Sequence, residues 1–276
     1  MGTCVATGWY GNQSGDHDGY VDTLSAGTWT SASAPLPKDA APERYSATAT
    51  TYLAAVARTG VGACVAPGQY RDVHGQTRAV IDTLSAGIWT AAAAPLPGDA
   101  AATGQVAGLW AIGCPAPGTC VARAHYIVRG GQPRYLTATL SDGTWTASAL
   151  PLPAGAAADQ KWSDYESTTI DGLACASAGS CVATAGCVTQ ANAIVPLIET
   201  LSGGSWTPAS VPLPADAAPG DRAGEYRLPG ACHLSRVRPL PGRRRLPGRG
   251  RHLRGSDRDD RARLDRDDRA RARRLT

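Results

Sequence analysis

Short apolar stretches alternate with polar turn residues over the first 227 residues, a pattern typical of β-strands. We predict four strands in each of four successive segments. The first strand is apolar, the second begins at Cys-Val-Ala, the third ends in Thr-Leu-Ser and the fourth carries Trp-Thr. Pro-Leu-Pro ends the fourth strand, because proline has no N–H to donate to a strand ladder. First strands are predicted at Tyr52 to Ala57, Gly108 to Cys114 and Ile170 to Ala176.

The tryptophan of the fourth strand marks an internal repeat. It follows the cysteine of Cys-Val-Ala by 25 residues in every segment, and Pro-Leu-Pro begins six residues after it. The pairs are Cys4 with Trp29, Cys64 with Trp89, Cys120 with Trp145, and Cys181 with Trp206. All variation in length falls after Pro-Leu-Pro. Such repetition indicates one structural unit that is stacked several times.

A repeated unit of four antiparallel strands predicts an all-β fold, a β-propeller in which each repeat is one four-stranded blade. The blades are expected at about 1–50, 51–107, 108–168 and 169–227. A β-solenoid is the alternative, although its repeats are usually shorter, and tandem β-sandwiches need more strands per unit. We expect the propeller to be incomplete, because the cysteine that would pair with Cys4 falls before Met1.

Two cysteine pairs share one spacing. Cys114 and Cys120, like Cys175 and Cys181, are separated by five residues that span the turn from the first strand to the second. We predict the disulfides Cys114–Cys120 and Cys175–Cys181, each contributing about 2 kcal/mol in the chain-entropy model. Zinc is the alternative, but no histidine recurs at an equivalent position, and neither a metal nor a cofactor is predicted. Disulfides imply an oxidising compartment, so we expect an extracellular or cell-surface protein.

Charge divides the chain unevenly. Residues 228–276 hold 16 arginines against 6 aspartates, whereas residues 1–227 hold 11 basic and 17 acidic side chains. We expect 228–276 to be either a disordered basic tail or the product of a shifted reading frame. In the second interpretation, codons for Leu234 and Leu240 read one nucleotide downstream can each encode cysteine, restoring the repeat. Nucleic-acid binding by this segment is the less favoured interpretation.

The sequence shows neither a membrane-spanning segment nor a leader. No apolar run is long enough for a transmembrane helix, and no leader pattern occurs before residue 30. We therefore expect a truncated fragment or a mis-assigned start.

The hairpin from Ser141 to Trp145 resembles the Asp-box hairpin of sialidase-like propellers. The other copies depart from that pattern, with Ala26, Ala86 and Gly203 where Asp142 stands. The whole repeat also looks like that of secreted repeat proteins of high-GC actinobacteria. Both resemblances imply a propeller-type fold over residues 1 to about 227. Neither implies an activity, because the Asp box is a structural turn in that family.

In an antiparallel blade, the loops between the second and third strands lie at the same end as the segments that join successive blades. We call this end the loop face and the opposite end the turn face. The loop face contains the variation in length, which often marks the binding face of a repeat protein. The predicted binding residues there are Asp16, His17, Asp18, Tyr20, Arg71, Asp72, His74, Arg129, Arg134, Trp162, Asp164 and Glu166.

Residues at these positions also occur in other kinds of site. Asp16 and Asp18 occur in a segment like a calcium loop, but a solvated hairpin turn is the favoured interpretation, because the third alternating aspartate and the distal glutamate of an EF-hand are missing. Asp164 and Glu166 could form a carboxylate pair, although a charged linker is the simpler interpretation. The repeated tryptophan could stack on sugars, but a residue at the same position of every blade is more often packed between blades.

The sequence therefore favours a non-enzymatic extracellular scaffold that binds a protein or a glycan through the loop face. The alternative is a fragment of a carbohydrate-active propeller, either a glycoside hydrolase or a lyase. A product without function as translated is a third interpretation. No membrane span is expected, and no catalytic residue is identified.

Overall fold

The computed structural model describes residues 4–13, 15, 17–42, 51–158, 172–191 and 194–211. All of them belong to the first of two units into which the chain divides, Met1–Ser235. The second unit, Arg236–Thr276, lies outside the described residues, as does the whole predicted tail 228–276.

The described strands form four antiparallel sheets, here called blades 1 to 4 in chain order. Blade 1 contains β1 (Cys4–Gly11), β2 (His17–Ser25) and β3 (Thr28–Ser33). Blade 2 contains β4 (Thr51–Leu53), β5 (Ala57–Gly60), β6 (Ala63–Arg71), β7 (Thr77–Ser85) and β8 (Ile88–Ala93). Blade 3 contains β9 (Gly108–Ala116), β10 (Thr119–Ile127), β11 (Pro133–Ser141) and β12 (Thr144–Ala149). Blade 4 contains β13 (Leu173–Ser177), β14 (Ser180–Val188), β15 (Ile194–Ser202) and β16 (Ser205–Ser210).

Two-residue turns join β2 to β3, β7 to β8, β11 to β12 and β15 to β16. Ala26, Ala86 and Asp142 occupy the first turn position with φ near +50°, and a glycine follows each of them, also at positive φ. Such a turn matches the right-handed twist of the strands it joins. The turn holds the register in which Leu24, Leu84, Leu140 and Leu201 pair with the tryptophan of the fourth strand.

The first strand of blade 2 is split in two because of its partner strand. β6 contains Pro67, which has no N–H to donate, and Gly68, where an added Cβ would lie 1.9 Å from the Tyr52 carbonyl oxygen. The chain therefore pairs with β6 through β4 and again through β5, with an interruption between them.

Both predicted disulfides are confirmed. Cys114–Cys120 and Cys175–Cys181 connect the first and second strands of blades 3 and 4, with Cα atoms 4.1 and 4.0 Å apart. In blade 2 the residue directly opposite Cys64 is Arg58, so this hairpin has no disulfide.

Blades pack face to face, and each has an entry face toward the preceding blade and an exit face toward the following one. Between blades 1 and 2, Val21 and Ala34 of one exit face pack with Leu53, Tyr70 and Val80 of the next entry face. Similar apolar clusters lie between blades 2 and 3 and between blades 3 and 4. The architecture is all-β, made of stacked antiparallel blades of the β-propeller type.

The repeated tryptophan packs between blades. Trp89, Trp145 and Trp206 are half-buried on entry faces, against the clusters shared with the preceding blade. Trp29 occupies the same position in blade 1 and is 52% exposed. The packing interpretation is confirmed at the three positions where the structure describes a preceding blade.

Candidate functional site

On the loop face, the described parts of the joining segments pair with the loops beside them. Isolated β-bridges connect Ala40 with Asp72, Ala100 with Val128, and Ala156 with Thr189. Each bridge places the segment after Pro-Leu-Pro next to the end of the second strand in the following blade.

Tyrosine–aspartate hydrogen bonds support the same surface from beneath. The Tyr70 hydroxyl donates to the Asp39 carboxylate at 2.9 Å, and the Tyr126 hydroxyl donates to Asp99 at 2.9 Å. Burial is the main cause that raises the pKa of both tyrosines, and the adjacent carboxylates raise it further. Both hydroxyls therefore stay protonated as donors at neutral pH.

The structure places the predicted residues of blade 1 in separate environments. The His17 ring lies 4.4 Å from the Trp9 ring, and the Asp18 carboxylate accepts a hydrogen bond from Asn12 Nδ2 at 2.9 Å. Tyr20 lies on the entry face of blade 1, where it lines a cleft with Tyr10 and Asp22. Asp16 is outside the described residues.

In blade 2, Asp72 organises the loop. It is 1% exposed, and its Oδ1 accepts hydrogen bonds from the backbone N–H groups of His74 and Gln76, both at 2.9 Å. Its Oδ2 lies 3.5 Å from Arg78. These contacts form a turn in which the aspartate side chain bonds the backbone ahead of it. Asp72 thereby holds His74 exposed and Arg71 half-exposed at the loop surface.

The two predicted arginines of blade 3 hold the joining segments. Arg129 donates to the carbonyl oxygen of Gly98, and Arg134 donates to that of Ala158. Arg134 also donates to the Pro133 carbonyl oxygen at 2.9 Å. Trp162, Asp164 and Glu166 lie outside the described residues, so their relation to these arginines remains a prediction.

A cleft of about 430 Å³ opens on the loop face beside Arg129. Its walls are the segment that joins blades 2 and 3 and the loop that follows β10. The lining residues are Ala101, Ala102, Thr103, Gly104, Val106, Ile127, Arg129 and Gly131.

Gln105 fixes the shape of this cleft, although the sequence analysis did not single it out. The side chain is 3% exposed, and its Nε2 donates to the carbonyl oxygens of Ala101 and Ile127 at 2.9 and 2.6 Å. Its Oε1 accepts from the Ile127 N–H at 3.0 Å, and its own N–H donates to Gln76. These bonds clamp both walls of the cleft to one side chain. A glutamine among small residues gives no periodic signal in the sequence.

Several buried titratable groups lie between blades. Asp82 is fully buried on the entry face of blade 2, and burial raises its pKa to about 8. His125 accepts a hydrogen bond from Trp110 Nε1 at 2.9 Å, and burial lowers its pKa to about 4. Arg123 and Glu199 form a buried ion pair at 2.8 Å between blades 3 and 4. These groups lie in the contacts between blades. Their partners in the neighbouring blade cannot be identified from the spacing of residues in the sequence alone.

Among the described residues, no group of three or more histidine, cysteine, aspartate or glutamate side chains could hold a metal ion. Within the same residues, no helix is long and apolar enough to cross a membrane.

Comparison with known proteins gives little beyond the sheets themselves. No family model matches the chain, and no curated protein matches it. Among solved structures, the chain is similar to Trypanosoma rangeli sialidase in complex with the inhibitor DANA, with a TM-score of 0.39 and 11% sequence identity. The match covers 75% of this chain, which spans 36% of the sialidase chain. A likeness this weak carries no argument about activity.

Proposed function

We propose that the protein is a non-enzymatic extracellular scaffold that binds a protein or a glycan through the loop face. The observation that carries the proposal is the cleft of about 430 Å³ beside Arg129. Its walls are held by backbone and buried side-chain hydrogen bonds, so the free protein already has the concave surface that a ligand needs. Preformed concave surfaces with a few polar groups are typical of binding sites.

The two disulfides support the proposed extracellular location. The two disulfides indicate an oxidising compartment, since they are rare where cytosolic reductants keep thiols reduced. Each closes a hairpin at the turn face, away from the cleft, so both stabilise the scaffold without entering the proposed site.

The chemistry of the cleft favours a ligand with an acidic group. Arg129 is the one charged side chain among the described residues that line it. Its guanidinium has five N–H donors, so it can hold a carboxylate while one N–H remains on Gly98. Val106 and Ile127 offer apolar contact beside this charge. An acidic glycan or an acidic peptide meets both requirements.

The carbohydrate-active alternative would need a carboxyl group that reaches the ligand. Asp82, whose raised pKa would suit an acid catalyst, is fully buried between blades 1 and 2 and does not line the cleft. On the loop face, Asp39 and Asp99 accept tyrosine hydroxyls, and Asp72 accepts backbone N–H groups of its own loop. These observations favour binding over turnover.

The test combines a binding screen with a turnover screen. The purified full chain would be titrated by biolayer interferometry against sialylated, uronate-containing and neutral glycans and against acidic peptides. The same chain would be incubated with fluorogenic glycosides. We expect an acidic ligand to bind without being cleaved.

Two variants make this test specific. Arg129→Gln should weaken the binding of that ligand by about tenfold or more, since it removes a charge-assisted contact. Arg58→Gln removes an exposed arginine near the turn face and serves as the matched control, with unchanged binding expected. Cleavage that a single carboxylate substitution abolishes would contradict the non-enzymatic proposal.

A further inference from the structure

The entry face of blade 1 is uncovered among the described residues, unlike every other entry face. Tyr10 is 38% exposed, whereas Tyr70 and Tyr126 at the equivalent positions of blades 2 and 3 are 1% and 0% exposed. Trp29 shows the same contrast with Trp89, Trp145 and Trp206. Blade 1 therefore presents the side chains of a blade–blade interface without a described neighbour.

A cleft of about 450 Å³ lies on this uncovered face. It is lined by Tyr10, Tyr20, Asp22, Ser31, Ala32 and Ser33. The Tyr10 hydroxyl and Ser33 Oγ are hydrogen-bonded at 3.0 Å, and Ser31 Oγ donates to Asp22. The surface combines aromatic rings with polar groups whose hydrogen bonds already run within the blade.

The interface between blades 1 and 2 indicates what such a face binds. The entry face of blade 2 carries Tyr70, Asp82 and Trp89 at the positions that Tyr10, Asp22 and Trp29 occupy in blade 1. The exit face of blade 1 covers them, with Val21 and Ala34 in the shared cluster. Gly19 lies there too, where an added Cβ would be 3.1 Å from the Thr51 side chain.

The exit face of blade 4 matches the exit face of blade 1 by residue type at four positions, and Pro196 stands where blade 1 has Gly19. Val182, Thr184, Ile198 and Val211 occupy the repeat positions of Val5, Thr7, Val21 and Ala34. Val182, Ile198 and Val211 are only half-buried, and no described residue follows them as a fifth blade.

We infer that the entry face of blade 1 binds the exit face of blade 4 from a second copy of this chain, head to tail. The joined faces would carry Asp22 and Thr184, at the repeat positions that Asp82 and Thr7 occupy on the faces joined between blades 1 and 2. The contact between blades 3 and 4 is different, because there Glu199 meets Arg123. The entry face of blade 1 has Asp22 at the position of Glu199, and its partner face in this inference has a threonine where blade 3 has Arg123.

A head-to-tail contact uses two different surfaces of each copy. It either closes into a ring or continues as a filament, depending on the rotation between copies. The inference does not rest on the proposed ligand site, because the uncovered faces and the cleft beside Arg129 share no residue.

The first test is the oligomeric state of the full chain, measured by sedimentation velocity from about 1 to about 100 µM. We expect reversible association over this range. Tyr10→Glu should weaken it by about tenfold or more, since it places a charge where the Tyr10 ring would be buried, as the Tyr70 ring is in blade 2. Val61→Glu, at a residue that is 94% exposed on the turn face, is the matched control and should leave association unchanged.

The second test establishes the direction of the contact. Cys181 and Val121 share one apolar cluster between blades 3 and 4, and Cys4 and Val182 hold the equivalent positions on the uncovered faces. Val182→Cys in a glutathione redox buffer should therefore give disulfide-linked oligomers through Cys4, which is exposed and has a free thiol. Adding Cys4→Ser should abolish them.

A monomer at all concentrations would overturn the inference, whether residues 212–276 cover the face or it stays bare. Oligomers that tolerate Tyr10→Glu, or that never cross-link between positions 4 and 182, would overturn it as well.

Discussion

The Arg123 guanidinium donates a hydrogen bond to the Glu199 carboxylate at 2.8 Å, and the two side chains are 0% and 1% exposed. Arg123 extends from blade 3 and Glu199 from blade 4. Arg123 also donates to the Thr184 carbonyl oxygen at 2.7 Å and lies 4.2 Å from the centre of the Tyr135 ring. The pair therefore connects two blades through an ion pair that is buried from solvent.

Removing one partner of this pair should destabilise the stack. Glu199→Gln leaves the Arg123 charge buried without compensation, which costs about 3 kcal/mol or more. Equilibrium urea denaturation of the full chain would measure this loss. The double variant Arg123→Met with Glu199→Leu should recover most of the stability, since it removes both charges. A single variant within about 1 kcal/mol of the wild type would show that the pair is not sealed from solvent.

Asp82 should make stability depend on pH in the direction opposite to that of a paired carboxylate. Burial raises its folded pKa from 3.8 to about 8, so the folded state binds more protons than the unfolded state between those values. Stability should therefore fall as the pH rises from about 4 to about 8, and Asp82→Asn should remove this component. At pH 8 the variant should be more stable by a few kcal/mol, on the order expected for a shift of this size. Urea denaturation of both proteins at several pH values would measure it, and parallel pH profiles would contradict the account.

A third disulfide should form if blade 2 is given the missing cysteine. Arg58 lies directly opposite Cys64, as Cys175 lies opposite Cys181 in blade 4. Arg58→Cys should therefore close the hairpin and stabilise the chain by about 2 kcal/mol in the chain-entropy model. Thiol titration should find one free thiol fewer than in the wild type. Arg58→Ser is the control, and an equal thermal midpoint for both variants would contradict this prediction.

The sequence predicted the strand order, the two disulfides and the packing of the tryptophan, because each depends on local spacing that the repeat displays several times. It did not predict Gln105 or the Arg123–Glu199 pair. Those contacts join residues 22 and 76 positions apart, and blade stacking alone brings them together. Asp72 illustrates a related difficulty, since a charged residue in a turn has the same sequence pattern whether it faces a ligand or bonds its own loop.

The most direct test of the proposed function is a pair of binding isotherms for the acidic ligand identified by the screen. Thr103→Trp would fill the cleft on the loop face while leaving the bond from Arg129 to Gly98 in place. Val61→Trp adds the same ring at the turn face and serves as the control. We predict that Thr103→Trp weakens binding by about tenfold or more while Val61→Trp has no effect. Equal affinity of both variants and the wild type would contradict the assignment of the cleft as the binding site.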